Sequence, residues 1–532
     1  MGARSVFTGC RRMVLTSLHR RERRYDSTMA TLQQEEVEET EWERARPYSE
    51  VPGPKPLPFV GNTWRFVPFI GNYSIEEIDR VSRNLYHQYG RVVKLAGLLG
   101  RPDMLFLYDA DEIERVFRNE ELMPHRPSMP SLNYYKHVHR KDFFGDNAGV
   151  IAVHGEKWYN FRTKVQQAML QPRTAKLYIK PIEETAVAFV ERARKLRDEN
   201  LEVPEDFLNE IHKWSLESIA RVALDIRLGC LDDHVSSSNS ETQTLIDAVT
   251  TFFSNVGVLE LKFPFWKIFS TPTWRKYIGA LDTITDITMK HITTALERLQ
   301  SRGPVQIDND SSLLQRVLAL DPDPKTACIL ALDMFLVGID TTSTAVASIM
   351  YQLSQHPEKQ EILYNEIHKV LPTRDTPLTA QRIEQLSYLK ACIKETLRMY
   401  PVVIGNGRCM TRDTVVAGYQ IPKGTQVVFQ HYVISNLEHY FSQADQFLPE
   451  RWLKLCSRNK REQTQHPFAS LPFGYGRRMC LGRRFADLEI QTVIAKMIQT
   501  FRIEYHHEKL QYRIHPMYTP DGPLTFRLIE RD

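Results

Sequence analysis

The stretch Phe473-Gly474-Tyr475-Gly476-Arg477-Arg478-Met479-Cys480-Leu481-Gly482 decides the reading of this chain. It sets one cysteine in a loop built from glycines, with an aromatic at its start and a glycine just past the cysteine. Gly474 and Gly476 are free to take positive φ, so the loop can fold tightly under a flat ligand. From Leu481 onward apolar residues recur at helical spacing, as Leu481, Phe485, Leu488, Val493 and Met497. Cys480 is therefore expected at a helix N-terminus, where free N–H groups and the helix dipole favour a thiolate. A lone cysteine is usually a small buried hydrophobe. The order of the positions around Cys480 argues against that here.

Those positions read F-x-x-G-x-R-x-C-x-G. They resemble the haem-binding signature of the cytochromes P-450, with every fixed position present. The resemblance implies haem b with its iron ligated by Cys480, cradled by Phe473, Gly476, Arg478 and Gly482. A thiolate on one face of the macrocycle pushes electron density toward cleavage of bound O₂. The resemblance covers roughly Pro47 to the C-terminus and implies a single catalytic domain over 47–532. The fold it implies is mainly α with a small β region, the haem lying between two central helices.

The chain has 532 residues, 42% hydrophobic and 25% charged, which is ordinary for a globular protein. A net charge of +4 is too small to argue for nucleic acid. The 7 cysteines have no paired spacing, which fits a reducing compartment without disulfides or zinc. Up to Arg24 the N-terminus carries Arg4, Arg11, Arg12, Arg20, Arg21, Arg23 and Arg24 against the single acid Glu22. Such composition predicts a mitochondrial transit peptide over 1–30; a nuclear signal at Arg20–Arg24 is the competing reading. No run of about 20 apolar residues lies here, so no transmembrane anchor is expected. An acidic linker over 31–46 follows, then the proline-rich entry Val51–Pro58.

Arg91–Leu95 and Met104–Tyr108 read as a hairpin, and strand signals return at Val415–Tyr419 and Gln426–Phe429. Between them run helical patterns such as Trp214–Leu228 and Asp282–Leu299, without βα alternation, which predicts a largely α fold.

Trp158 and Arg162 share a face of the helical run His154–Leu170. By itself this is a Trp–Arg surface stack. W-x-x-x-R also resembles the family's helix that grips a haem propionate, with Arg408 and Arg478 at the same edge; two propionates need cationic partners. Leu330–Ser343 is apolar and helical yet places Gly338, Asp340, Thr341 and Thr342 together. Glycine weakens a helix and threonine competes for its carbonyls, which predicts a notch where oxygen and water fit. This resembles the family's oxygen-activation motif, with Asp340 and Thr341 as the catalytic acid and alcohol; Val337 departs from it, where Ala or Gly is usual. Glu395 and Arg398 lie three apart on the run Gln385–Tyr400. With Arg451 in Phe447–Trp452 they resemble the family's buried Glu–Arg–Arg triad.

Lys390 and Lys394 share that helix, and Arg483 and Arg484 follow the cysteine loop. Surface lysines often serve solubility alone. The family's mitochondrial branch uses basic residues at these places to dock an acidic ferredoxin, and opposite charge suits a transient carrier. The resemblance, closest to arthropod mitochondrial members, implies a monooxygenase on the matrix side of the inner membrane, associated peripherally. Its electrons would pass from NADPH through ferredoxin reductase and ferredoxin. The substrate would be lipophilic, an ecdysteroid-like steroid or a xenobiotic. Val402, Val403, Ile404 and His515–Thr519 match pocket-lining regions. Phe263–Trp266 is either a membrane-facing entrance or a packed corner. A P-450-fold isomerase or dehydratase without a redox partner, and a haem-based sensor, are the alternatives; the Asp340–Thr341 pair counts against both.

Overall fold

The computed structural model describes residues 40–126, 129–232, 240–301, 311–453, 465–514 and 517–531. The expected transit peptide, the linker as far as residue 39, and positions 515–516 lie outside the described residues.

The longer helices are α1 (Gly155–Leu170), α2 (Ile179–Leu196), α3 (Phe207–Leu224), α4 (Glu241–Leu261), α5 (Pro272–Ser301), α6 (Pro324–Gln355), α7 (Pro357–Val370), α8 (Ser387–Met399) and α9 (Arg483–Thr500). Helix α6 is the axis of the molecule. Asp323 caps it by accepting from the Lys325 N–H, and Pro324 opens its first turn, where no N–H is missed. It is long and apolar enough to cross a membrane, yet most of its surface is buried in protein. That marks a core helix, apolar all round because neighbours surround it. Helices α3, α5, α8 and α9 pack against it.

Ten short strands form the β region among the described residues: β1 (Val92–Leu95), β2 (Met104–Leu107), β3 (Asn406–Cys409), β4 (Thr414–Val416), β5 (Tyr419–Ile421), β6 (Gln426–Phe429), β7 (Phe501–Glu504), β8 (Gln511–Ile514), β9 (Tyr518–Asp521) and β10 (Arg527–Glu530). The main sheet has the order β1-β2-β6-β3. Strands β1 and β2 form the expected hairpin, β2 runs parallel to β6, and β3 is antiparallel to β6 with Arg408 opposite Val427.

Two hydrophobic cores result. One joins the long helices; the other lies under the main sheet and includes Val93, Leu107, Phe117, Val427 and Phe468. The cysteine loop starts in the sheet core at Phe468 and Ala469 and ends in the helical core at Leu481 and Phe485. The site therefore lies at the seam between them.

Two expectations need correction. Val415–Tyr419 is not one strand: the chain reverses at Ala417 and Gly418, with φ of 52° and 76°, and Val416 pairs with Tyr419. A two-residue turn with both φ positive matches the twist of paired strands. The run Trp214–Leu228 stops being helical at Leu224, because Asp225 takes a left-handed conformation with φ of 54°.

Candidate active site

The cysteine loop is closed by its own backbone. Gly474 N–H donates to Leu471 O at 2.9 Å, Met479 N–H to Gly476 O at 3.1 Å, and Cys480 N–H to Phe473 O at 2.9 Å. Gly474 and Gly476 adopt φ of 68° and 74°, which a side chain would disfavour. Helix α9 begins at Arg483 with Gly482 as its cap, so Cys480 stands just ahead of the helix. Cys480 as a residue retains accessible surface. Protein nevertheless surrounds it, and burial pushes its thiol above the ordinary value, opposed by the Gly482 N–H and by Arg162 and Arg126. The accessible surface thus faces an internal space. Burial outweighs the helix-terminus effect expected from sequence; a metal, which deprotonates a coordinating thiol outright, would favour the thiolate here.

At one edge of this space four guanidinium groups converge. Arg162 Nη2 donates to Met479 O at 3.0 Å. Arg478 donates to Pro124 O at 3.1 Å and Val153 O at 2.9 Å, and lies 3.7 Å over the Trp158 ring. Trp158 is thus a platform for Arg478. Arg408 bonds Glu120 at 2.9 Å and Gly407 O at 2.8 Å. The fourth is Arg126, which the sequence reading missed. Burial first, then mutual repulsion with Arg408, pulls Arg126 down to about 10; burial likewise holds Arg162 at about 10. Arg478 falls to about 9 through burial and repulsion by Arg126, Arg408 and Arg162. Each keeps a buried N–H without a partner among the described residues: Arg126 Nε, Arg162 Nε, Arg408 Nη2 and Arg478 Nη2. Buried, unsatisfied cations of this kind are costly unless an anion meets them. Haem propionates fit that edge, with Cys480 placed for the iron.

Helix α6 packs against α9, the helix that follows the cysteine loop. Met334, Val337, Gly338 and Thr341 are half-buried at helical spacing on a helix whose other residues from Thr326 to Leu353 are buried, so this stripe is the open one along its middle. Thr341 Oγ1 donates to Val337 O at 2.8 Å. The helix runs unbroken through this point. A Cβ added to Gly338 would stand 2.8 Å from Ile219 Cδ1, so the glycine serves the approach of α3. Asp340 points elsewhere. It is buried, and His212 Nε2 of α3 lies 3.4 Å from its Oδ1, without an aligned hydrogen bond. Burial raises the Asp340 carboxyl to about 7 and lowers His212 to about 4. His212 was not legible in the sequence as a partner.

Glu395 is fully buried. It receives both Nε and Nη2 of Arg398, at 2.9 and 2.8 Å, and Arg451 Nε at 2.9 Å. Leu448 N–H and Trp452 Nε1 add donors at 3.1 and 2.8 Å. The four basic docking candidates lie around one carboxylate: Arg483, Arg484, Lys394 and Lys390 all lower Asp487, which burial raises. Lys394 Nζ also sits 5.7 Å over the Trp452 ring.

A cysteine loop at the seam of two cores, leading into a helix packed on a long buried one and edged by guanidiniums with unmet N–H groups, defines a haem-thiolate monooxygenase. The cytochrome P450 family profile matches residues 51–523, and the chain belongs to that family. It is 50% identical over 489 residues to "Probable cytochrome P450 301a1, mitochondrial" of Drosophila melanogaster, covering 92% of this chain and 88% of the relative. It is 49% identical to "Probable cytochrome P450 49a1" of the same fly, covering 92% and 83%. To its "Probable cytochrome P450 12a5, mitochondrial" it is 36% identical, covering 92% of each chain. The family implies a cysteine-ligated haem iron and O₂.

Proposed function

We propose that this P450 works in mitochondria, on the matrix side of the inner membrane. It would hydroxylate a lipophilic substrate, steroid-like or xenobiotic, with electrons from NADPH passed through ferredoxin reductase and ferredoxin. The observation that carries the redox reading is the meeting of Lys390 and Lys394 of α8 with Arg483 and Arg484 of α9 around Asp487, beside the cysteine loop. Relatives named mitochondrial support the compartment.

The bound haem would supply oxygen activation; the residues supply position and protons. Cys480 would hold the iron from one side. Trp158, Arg126, Arg162, Arg408 and Arg478 would fix the propionate edge, and Phe473, Gly476 and Gly482 the loop beneath. Thr341 lies on the accessible stripe of α6 with its proton held by Val337 O. Its hydroxyl would pass protons to the oxygen site. Asp340, with a carboxyl near 7, is suited to give and take protons at neutral pH, and His212 is its nearest ionisable neighbour. Glu395, Arg398 and Arg451 would lock the segment that leads to the cysteine loop.

A second surface supports a lipid-side substrate. Phe59, Phe69, Ile70, Phe265, Ile268 and Phe269 are exposed. Their two segments meet through Leu99–Arg101: Leu99 N–H donates to Thr63 Oγ1 at 2.8 Å, and Arg101 to Lys262 O at 3.0 Å. A joined apolar patch of this kind suits a membrane surface.

The test is reconstitution with ferredoxin, its reductase and NADPH against a panel of lipids and steroids. A hydroxylated product that requires ferredoxin is expected. Peroxide isomerisation without any electron donor would instead establish the isomerase reading.

A further inference from the structure

Glu120 follows the helix Ala110–Arg118 in an acidic pair, Glu120-Glu121, that reads as solvated surface. The structure buries it: its side chain is 7% exposed. One oxygen, Oε2, accepts from Arg408 Nε at 2.9 Å, and Arg408 stands in β3. The other, Oε1, accepts from the Arg477 N–H at 2.7 Å, inside the cysteine loop. Gly476 is shaped around the same oxygen. A Cβ there would stand 2.1 Å from Oε1, at a φ of +74°. One carboxylate therefore ties the main sheet to the cysteine loop.

Its charge is as well placed as its bonds. Glu120 is the carboxylate that acts on Arg408 and, more weakly than the neighbouring guanidiniums, on Arg478. It leaves Arg408 Nη2 without a partner among the described residues, on a guanidinium whose Nε and Nη1 are already fixed. The clamp thus orients the unpaired donor while offsetting part of the positive charge at that edge. Charge-assisted bonds of this sort are the strong ones, and a buried charge acts at longer range than a solvated one.

We propose that Glu120 is a positioning residue and fixed counter-charge of the haem site: it clamps Arg408 to the Cys480 loop and holds down the reduction potential of the iron. This rests on haem being bound against Cys480. The electrostatic sign follows directly. Reduction adds one electron, from any external one-electron donor, to a site crowded with guanidiniums. A nearby negative charge opposes that electron, so removing the charge favours the reduced state.

The experiment uses the full-length haem-loaded protein. Glu120→Gln keeps the shape but removes the charge and one of the two accepting oxygens; Glu120→Asp keeps the charge and both oxygens on a shorter arm; Glu120→Ala removes the whole carboxylate. Potentiometric titration with redox dyes should show Glu120→Gln shifted upward about tenfold in the reduction equilibrium, ~59 mV for a one-electron couple. Glu120→Asp should stay near the unsubstituted value. Transfer of haem to an apo-globin acceptor should be about tenfold faster in Glu120→Ala than in the unsubstituted protein. An unchanged potential in Glu120→Gln overturns the counter-charge, and so does an equal shift in Glu120→Asp. Unchanged haem transfer in Glu120→Ala overturns the clamp. Where Glu120→Gln fails to retain haem, Glu120→Asp against the unsubstituted protein decides: retention by Glu120→Asp supports the charge, and loss by both overturns it. Failure of the haem reading itself shows separately, as an unsubstituted chain without a thiolate-type spectrum.

Discussion

Cys480 must carry a negative charge in a place where burial opposes one. The surrounding N–H of Gly482 and the guanidiniums of Arg162 and Arg126 offset that cost only in part. Ligation to iron would complete it. Replacing Cys480 with Ser should therefore abolish the thiolate-type spectrum of the reduced carbon monoxide complex, and a variant that keeps it would place the ligand elsewhere. Thr341 has a different burden. Its hydroxyl is fixed by Val337 O on the half-buried stripe of α6. Thr341→Ala should retain haem while electron use separates from product, with peroxide or water rising by roughly tenfold or more per product, in line with the usual worth of a positioned proton donor. An unchanged ratio would remove Thr341 from the proton path. Cys480 and Thr341 were legible because their neighbours in sequence are their neighbours in space. Arg126, His212 and Glu120 were not. Each is a single polar residue whose partner is remote, and no periodicity marks it.

At the scale of elements, α8 is held to the segment before the cysteine loop by one buried carboxylate. Removing Glu395 leaves Arg398 and Arg451 buried without their anion, which should cost about 3–5 kcal/mol. Arg451→Ala should cost less, because Arg398, Leu448 N–H and Trp452 Nε1 still satisfy Glu395. Denaturant unfolding of the two variants gives the order, and the reverse order would refute this account. Another buried carboxyl, Glu489 of α9, lies beside Ser218 of α3 and is raised to about 8 by burial, with Ser218 opposing. A raised carboxyl stabilises the fold fully below its unfolded value of 4.5, and that stability is lost as pH rises through about 8. The loss from this group is at most about 1.4 kcal/mol per pH unit. Glu489→Gln should flatten the decline in unfolding midpoint over that window; an equal decline in both proteins would mean the group is not buried neutral. The first hairpin and the long helices were legible because periodicity spans their whole length. The reversal at Ala417-Gly418 was not, since Val415–Tyr419 keeps an apolar strand composition across its own turn. Nor was the stop at Asp225, where a left-handed residue other than glycine ends the helix.

Across the whole molecule, the proposed function gives the apolar patch of Phe59, Phe69 and Phe265 and the basic cluster around Asp487 separate contacts, one with lipid and one with an electron carrier. If the basic cluster docks an acidic ferredoxin, charge reversal should slow encounter and leave chemistry alone. The choice of residues follows from the structure. Lys394 lies over Trp452, which itself donates to Glu395, so reversing Lys394 would also disturb the buried triad. Arg483 packs over Phe473 at the start of the cysteine loop. Lys390 and Arg484 are the cleaner pair: among the described residues Lys390 Nζ hydrogen-bonds the carbonyl of Glu384 at 3.2 Å, and Arg484 is exposed. The double variant Lys390→Glu, Arg484→Glu should bind haem and substrate normally. Its ferredoxin-driven turnover at low salt should fall by roughly tenfold or more, since steering of this kind raises association rates by 10–10³. Salt screens exposed charges over about 8–10 Å, so the unsubstituted protein should slow as salt rises while the variant stays flat. Turnover driven by added peroxide needs no carrier and should survive in both. Normal ferredoxin-driven turnover of the variant at low salt, with haem content intact, would remove this face as the docking site.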